Sequence, residues 1–172
     1  GTVLLGHNDA FGTGELRLAG GVIQADGGAR TINNTLRIEG SATFTGPNPI
    51  TFNIATVVQG LQQLSVENRT EFNAPVTESS TGSGLVKSGS GTLVLSGAST
   101  YTGGTVINAG RLIVSNTQGS GTGTGAVDVR TGGILAGSGT IGGTVTISNG
   151  GVIAPGNSPG TQTTGSQTWG AD

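Results

Sequence analysis

The feature that most constrains this chain is a motif that returns along it. Val127-Asp128-Val129-Arg130-Thr131-Gly132-Gly133-Ile134-Leu135-Ala136 matches Val145-Thr146-Ile147-Ser148-Asn149-Gly150-Gly151-Val152-Ile153-Ala154 at an offset of about 18 residues. Each copy reads as strand, Gly-Gly corner, strand. Leu16-Arg17-Leu18-Ala19-Gly20-Gly21-Val22-Ile23 is a third copy, shorter by one residue before its glycines. Leu36-Arg37-Ile38 follows Leu16-Arg17-Leu18 by about 20 residues. One copy cannot bury its apolar residues alone, whereas stacked copies make a continuous core. The expected fold is therefore all-β, a parallel β-solenoid with about 18–20 residues per rung and about eight rungs. At about 4.8 Å per rung the stack is roughly 40 Å long.

Alternation fixes the register. Leu16, Leu18, Leu36, Ile38, Leu93, Leu95, Val127, Val129, Val145 and Ile147 are expected to point inward, with Asp128 and Thr146 outward. Helices are excluded by the 35 glycines, which interrupt almost every window of about ten residues at about 1 kcal/mol each. Those glycines follow no Gly-X-Y period, so collagen is excluded too.

A longer period links the two ends. Gly12-Thr13-Gly14-Glu15-Leu16-Arg17-Leu18 matches Gly123-Thr124-Gly125-Ala126-Val127-Asp128-Val129, about 111 residues on. Gly1-Thr2-Val3-Leu4-Leu5 parallels Gly110-Arg111-Leu112-Ile113-Val114. The chain reads as one solenoid segment over 1-172, about one and a half copies of a larger unit: 1-109, then a partial second unit at 110-172. The stretch 46-84 is less regular, with Ile50 to Glu78 expected as longer strands or a separate subdomain. Thr77 to Gly84 is expected as a protruding loop.

Charge limits the function. Charged residues are 9% of the chain and the net charge is −2, so there is no basic stripe to follow a phosphate backbone and nucleic acid is excluded as a partner. Lys87 is the single lysine. No run approaches about 18 apolar residues, so no membrane insertion by this segment is expected. Gly1-Thr2-Val3-Leu4-Leu5 lacks the basic flank of a signal peptide, and the chain is read as a fragment or processed product.

At Lys87 a run of known type begins. Lys87-Ser88-Gly89-Ser90-Gly91-Thr92-Leu93-Val94-Leu95-Ser96-Gly97-Ala98-Ser99-Thr100-Tyr101-Thr102-Gly103-Gly104-Thr105-Val106-Ile107-Asn108-Ala109-Gly110-Arg111-Leu112-Ile113-Val114 resembles the autotransporter-associated β-strand repeat of bacterial passenger domains. Gly151-Val152-Ile153-Ala154-Pro155-Gly156-Asn157-Ser158-Pro159-Gly160-Thr161 is similar to another stretch common there, and Asp9 to Phe44 fits the pattern between repeats. The resemblance implies a right-handed parallel β-helix, export across the outer membrane, and an extracellular or cell-surface location. It implies scaffold and no particular activity. Expected partners are a host or neighbouring cell surface, glycans, or another copy of the solenoid.

Candidate chemistry is sparse. His7, the one histidine, lies in the turn-like Gly6-His7-Asn8-Asp9 and reads as a solvated loop residue, since one histidine makes neither a triad nor a typical metal site. Gly119-Ser120-Gly121-Thr122-Gly123-Thr124-Gly125 lacks the Lys-Ser/Thr pair of a phosphate loop. Asp128 has Thr146 at the matching position, which rejects a repeated calcium site. Asn33-Asn34-Thr35 and Asn68-Arg69-Thr70 match the glycosylation tripeptide, a pattern frequent by chance. Tyr101 is expected to cap the stack with its hydroxyl at the water edge. Glu67, Arg69, Glu71 and Glu78 are the densest charge group; at two-residue spacing the first three share a strand face and read as a solvated surface.

No catalytic, cofactor-binding or metal residue is assigned, no cofactor is expected, and the chain is read as not an enzyme. The leading function is a structural or adhesive segment, a rigid stalk or contact surface. The alternative is an extracellular β-helix enzyme acting on polysaccharide through an acid pair. The first predicts no clustered ionisable groups on any face; the second predicts at least three converging in a groove.

Overall fold

The computed structural model describes residues 1–156 and 160–170. Asn157, Ser158 and Pro159, within the second stretch of family resemblance, lie outside the described residues. Among the described residues every regular element is a β-strand, and every strand pair is parallel. No helix among the described residues is long and apolar enough to cross a membrane.

The chain coils through three faces in about eight turns, forming a β-solenoid. One face is a nine-strand sheet running in chain order from Thr2–Leu5 to Gln167–Trp169. The next is a seven-strand sheet running from Arg30–Ile32 through Arg69–Phe72, Thr92–Leu95, Gly110–Val114 and Gly133–Gly137 to Val152–Pro155. The third face carries four strands, from Leu16–Leu18 to Val76–Glu78, then two more, Thr140–Ile141 and Thr163–Thr164. In the gap the rungs still bond: Thr100 N–H donates to Val76 O (2.9 Å), Ser99 N–H to Ser120 O (2.7 Å) and Gly121 N–H to Thr140 O (2.8 Å).

The short repeats stack directly. Val127, Asp128 and Val129 sit on Val145, Thr146 and Ile147, and Leu16, Arg17 and Leu18 on Leu36, Arg37 and Ile38. Rungs vary more than 18–20 residues: Val129 to Ile147 is 18, and Leu64 to Lys87 is 23. Corners absorb the difference, because a strand that slipped by one residue would turn its apolar side chains outward.

The Gly-Gly corners divide two tasks. Gly132 and Gly150 turn the chain at φ of +86° and +77°, where a side chain is strained. A Cβ on Gly133 or Gly151 would stand 2.4 or 2.5 Å from the Ile107 or Val129 carbonyl of the rung beneath. The second glycine is thus required by rung spacing.

The long repeat does not superpose. Thr2–Leu5 is in the nine-strand sheet and its match, Gly110–Val114, in the seven-strand sheet. Leu16–Leu18 is on the third face and its match, Val127–Val129, in the nine-strand sheet. Both matches are displaced by one face, a separation of five turns and a third. All three faces use the same in-out-in strand, so sequence similarity does not record which face a strand occupies.

The core runs along the axis. Leu18, Leu36, Ile38, Leu93, Leu95, Val127, Val129, Val145 and Ile147 are buried, and Asp128 and Thr146 are half-exposed, as alternation requires. Leu16, on an edge strand, is half-buried against the same core. Phe44, Phe52 and Phe72 meet edge-to-face, with centroids 5.5 to 6.4 Å apart.

Three expectations are corrected. Residues 50–78 form no separate subdomain: strands of three, three, six, four and three residues continue the stack, and of these only Leu61–Val66, the longest strand among the described residues, is a longer strand. Thr77 to Gly84 is a loop only at its centre, where Ser79 to Gly82 form an exposed turn. Thr77 and Glu78 end a strand, Gly84 begins one, and Ser83 between them is fully buried, its hydroxyl accepting from Gly60 N–H at 2.8 Å. Tyr101 is fully buried and shares a 2.6 Å hydrogen bond with Thr105 Oγ1, so its hydroxyl is not at the water edge. It fills the core behind the strandless gap of the third face, and burial pushes its hydroxyl well above the usual tyrosine range, with the Thr105 bond opposing.

Candidate functional site

Charged side chains gather on two faces: Glu15, Arg17, Arg37 and Glu39 form three ion pairs on the third face, and the outer face of the seven-strand sheet carries charged groups around a depression. Alternation in Arg69–Phe72 turns Thr70 and Phe72 inward and leaves Arg69 and Glu71 outside. Register then builds two outward rows. Arg69, Thr92 and Arg111 form one; Glu71, Val94 and Ile113 form the other.

These rows bound a depression of about 350 Å³. Val94 and Ile113 lie at its base, Arg69, Glu71, Arg111 and Ser115 around it, and Gly137, Ser138 and Gly156 close the far side. Val94 is only 3% exposed although its row points outward, so it forms a floor. Arg69 pairs with Glu71 at 3.0 Å, and the other Glu71 oxygen accepts from Ser96 Oγ at 3.3 Å. Arg111 forms no ion pair among the described residues. Two guanidiniums and one carboxylate leave a positive surplus there.

Three ionisable groups therefore converge, the number the enzyme alternative required, and the expectation of no clustered ionisable groups on any face is not met. The acid pair is missing. Glu67 is on the same side of the chain but precedes the strand at a corner, and it does not line the depression. Its carboxylate accepts from Ser90 N–H (3.0 Å), Ser90 Oγ (3.0 Å) and Ser65 Oγ (2.9 Å). The Ser90 N–H first, then these hydroxyls, hold it below the usual carboxylate range. Glu78 is on the third face, bound to Thr102 and Ser83 N–H. Acid–base cleavage with two carboxylates has one carboxylate here.

The other candidates resolve individually. His7 is exposed, with Nδ1 3.5 Å from Asp9. Asp128 pairs with Arg130 at 2.8 Å. Among the described residues no three His, Cys, Asp or Glu side chains are grouped to hold a metal. A Cβ on Gly123 would stand 2.0 Å from Tyr101 O, so this glycine serves close backbone packing. Asn68 is buried, its amide donating to Thr45 O and Asn48 O, which leaves no free acceptor for a glycan.

Two features were missed from sequence. Lys87 occupies an inward position between Leu64 and Ile107 and is fully buried. Its ammonium donates to Ser88 O (2.8 Å), Gly89 O (2.8 Å) and Ala109 O (3.1 Å), joining its corner to the next rung. Burial pushes its pKa down to about 8, with Glu67 opposing. The signal was the alternation of Leu85, Val86 and Lys87. The second feature is a ladder: Asn73 Nδ2 donates to Asn53 Oδ1 (2.8 Å) and Asn53 Nδ2 to Asn33 Oδ1 (3.1 Å). The signal was Asn following Ile32, Phe52 and Phe72, one rung apart each time.

Residues 85–114 match the family model described as passenger-associated-transport-repeat. The match begins inside strand Gly84–Ser88 and ends with Gly110–Val114, and it takes in Lys87, Tyr101 and Arg111. This match, together with the solenoid fold, fits an autotransporter passenger repeat over that segment. No curated protein and no solved structure matches the chain.

Proposed function

We propose that this chain serves outside the cell as a rigid, non-catalytic spacer and contact surface within an autotransporter-like passenger. The observation that carries this reading is the passenger repeat at 85–114 set into an uninterrupted stack of parallel rungs. Each rung binds its neighbours through backbone ladders and through side chains that bridge them, among them Lys87 to Ala109 O and Asn73 to Asn53. Such a stack resists bending along its axis, and its folding can propagate rung by rung. That suits a chain emerging from a pore where no ATP is available.

Two measurements test the proposal. Fused ahead of an outer-membrane translocator barrel, the segment should become accessible to protease on intact cells; retention inside them would refute export. Incubated with a panel of polysaccharides, esters and peptides, the purified chain should turn nothing over. Turnover lost in Glu71→Gln would promote the polysaccharide-acting enzyme, which the convergence of Arg69, Glu71 and Arg111 alone favours.

A further inference from the structure

From the depression on the seven-strand sheet we infer a binding site for an acidic sugar residue, a pyranose bearing a carboxylate within a polysaccharide. The inference stands on the local geometry and does not depend on export. Arg111 offers a planar fork of donors that no carboxylate of this chain occupies among the described residues. A carboxylate ligand matches that fork with two parallel hydrogen bonds. Arg69 stands two rungs away in the same row, about 10 Å at ordinary strand spacing, with half of its demand met by Glu71.

The floor selects the rest of the ligand. Val94 and Ile113 present adjacent aliphatic side chains, a surface for the C–H face of a pyranose ring. Ser115 and Ser138 also line the depression, and the Ser115 hydroxyl, bonded to Ser96 Oγ at 3.0 Å, keeps a lone pair for a ring hydroxyl. A volume of about 350 Å³ is at the low end of ligand sites and takes a short saccharide segment. Nucleic acid is disfavoured, because two cations offset by one carboxylate make no track for a phosphate backbone. A neutral sugar would leave Arg111 unmatched.

The test uses the intact chain, with a four-residue oligogalacturonide and its fully methyl-esterified form, titrated by calorimetry and by amide NMR shifts. The acid form should bind at least tenfold more tightly than the ester, with shifts centred on Val94, Arg111 and Ile113. Arg111→Gln, which removes no side-chain hydrogen bond or ion pair found among the described residues, should weaken the acid form at least tenfold and leave the ester unchanged. Glu71→Gln, which removes the competing charge, should tighten the acid form threefold or more. Circular dichroism melts of both variants should match the parent. Equal binding of acid and ester, indifference to Arg111→Gln in a folded variant, or acetate alone binding as tightly as the oligosaccharide would overturn the site. None of these outcomes bears on protease accessibility at the cell surface, so the two proposals fail separately.

Discussion

Lys87→Met should destabilise the solenoid by about 2–4 kcal/mol at neutral pH. The substitution keeps most of the side-chain volume in the row between Leu64 and Ile107, so no large cavity forms. What it removes is the ammonium that Ser88 O, Gly89 O and Ala109 O accept from. Hydrogen bonds to a charged donor contribute about 1.5–3 kcal/mol each. Against them stands the cost of burying the charge, several kcal/mol, which methionine relieves. Three acceptors at one corner outweigh that relief.

The pH dependence separates this account from simple packing. With the folded pKa near 8 and the unfolded value near 10.5, the unfolded chain binds more protons between those values. Stability therefore rises with pH through that window and is flat in this respect below it. Between pH 7.5 and 9.5 a shift of this size is worth about 2 kcal/mol, lowered to about 1 kcal/mol by solvent screening at the corner. Guanidinium unfolding followed by circular dichroism, at both pH values and for both proteins, measures it. The parent should gain and Lys87→Met should stay level. A methionine variant as stable as the parent, or one with the same rise, would refute the assignment of Lys87 as a charged clamp. The span from pH 7.5 to 9.5 ends below the range where Tyr101 acts in the opposite sense: its raised folded pKa makes stability fall above about pH 10.

Phe52→Ala should cost about 3–5 kcal/mol, since Phe52 is fully buried and touches both Phe44 and Phe72; a loss below 1 kcal/mol by denaturant midpoint would deny the aromatic cluster its role. Gly110→Ala should prevent folding or cost more than about 3 kcal/mol, because its φ is +66° and a Cβ would stand 2.4 Å from Gly89 O; a soluble variant with parent-like melting would contradict the rung spacing. Tyr101→Phe should cost about 1–3 kcal/mol by stranding Thr105 Oγ1 in the core, and Thr105→Val added to it should restore part of that loss. Asn53→Ala should cost about 1 kcal/mol by breaking both steps of the asparagine ladder, read as a lower melting temperature.

Rung, register and core direction were legible because they depend on a period of two and on a motif repeated at rung distance. Val127 and Val145 declare both. Face assignment was not legible, since a strand such as Leu16–Leu18 has the same pattern wherever it sits. The middle misled for a related reason. Few glycines between Ile50 and Glu78 suggested long strands, but only Leu61–Val66 is long, because the turns there are held by Asn48, Asn68 and Ser83, whose side chains reach neighbouring rungs. Lys87 was noted only as the single lysine, although strand alternation already placed it inside. Its cost is offset by the adjacent Ser88 and Gly89 carbonyls and by that of Ala109, a full rung away in sequence, which no local window displays. The depression was half legible: Arg69 and Glu71 belong to one strand, but Arg111 and Val94 join them only through stacking.

The one-face displacement of the long repeat has a geometric consequence for any longer array. A block that recurs after five turns and a third is carried round the axis by one side with each duplication. Three such blocks in tandem would present a given patch along a shallow spiral, once toward each of three directions. A filament decorated in this way offers the same contact whichever side meets a neighbouring surface, and needs no particular roll orientation to engage it.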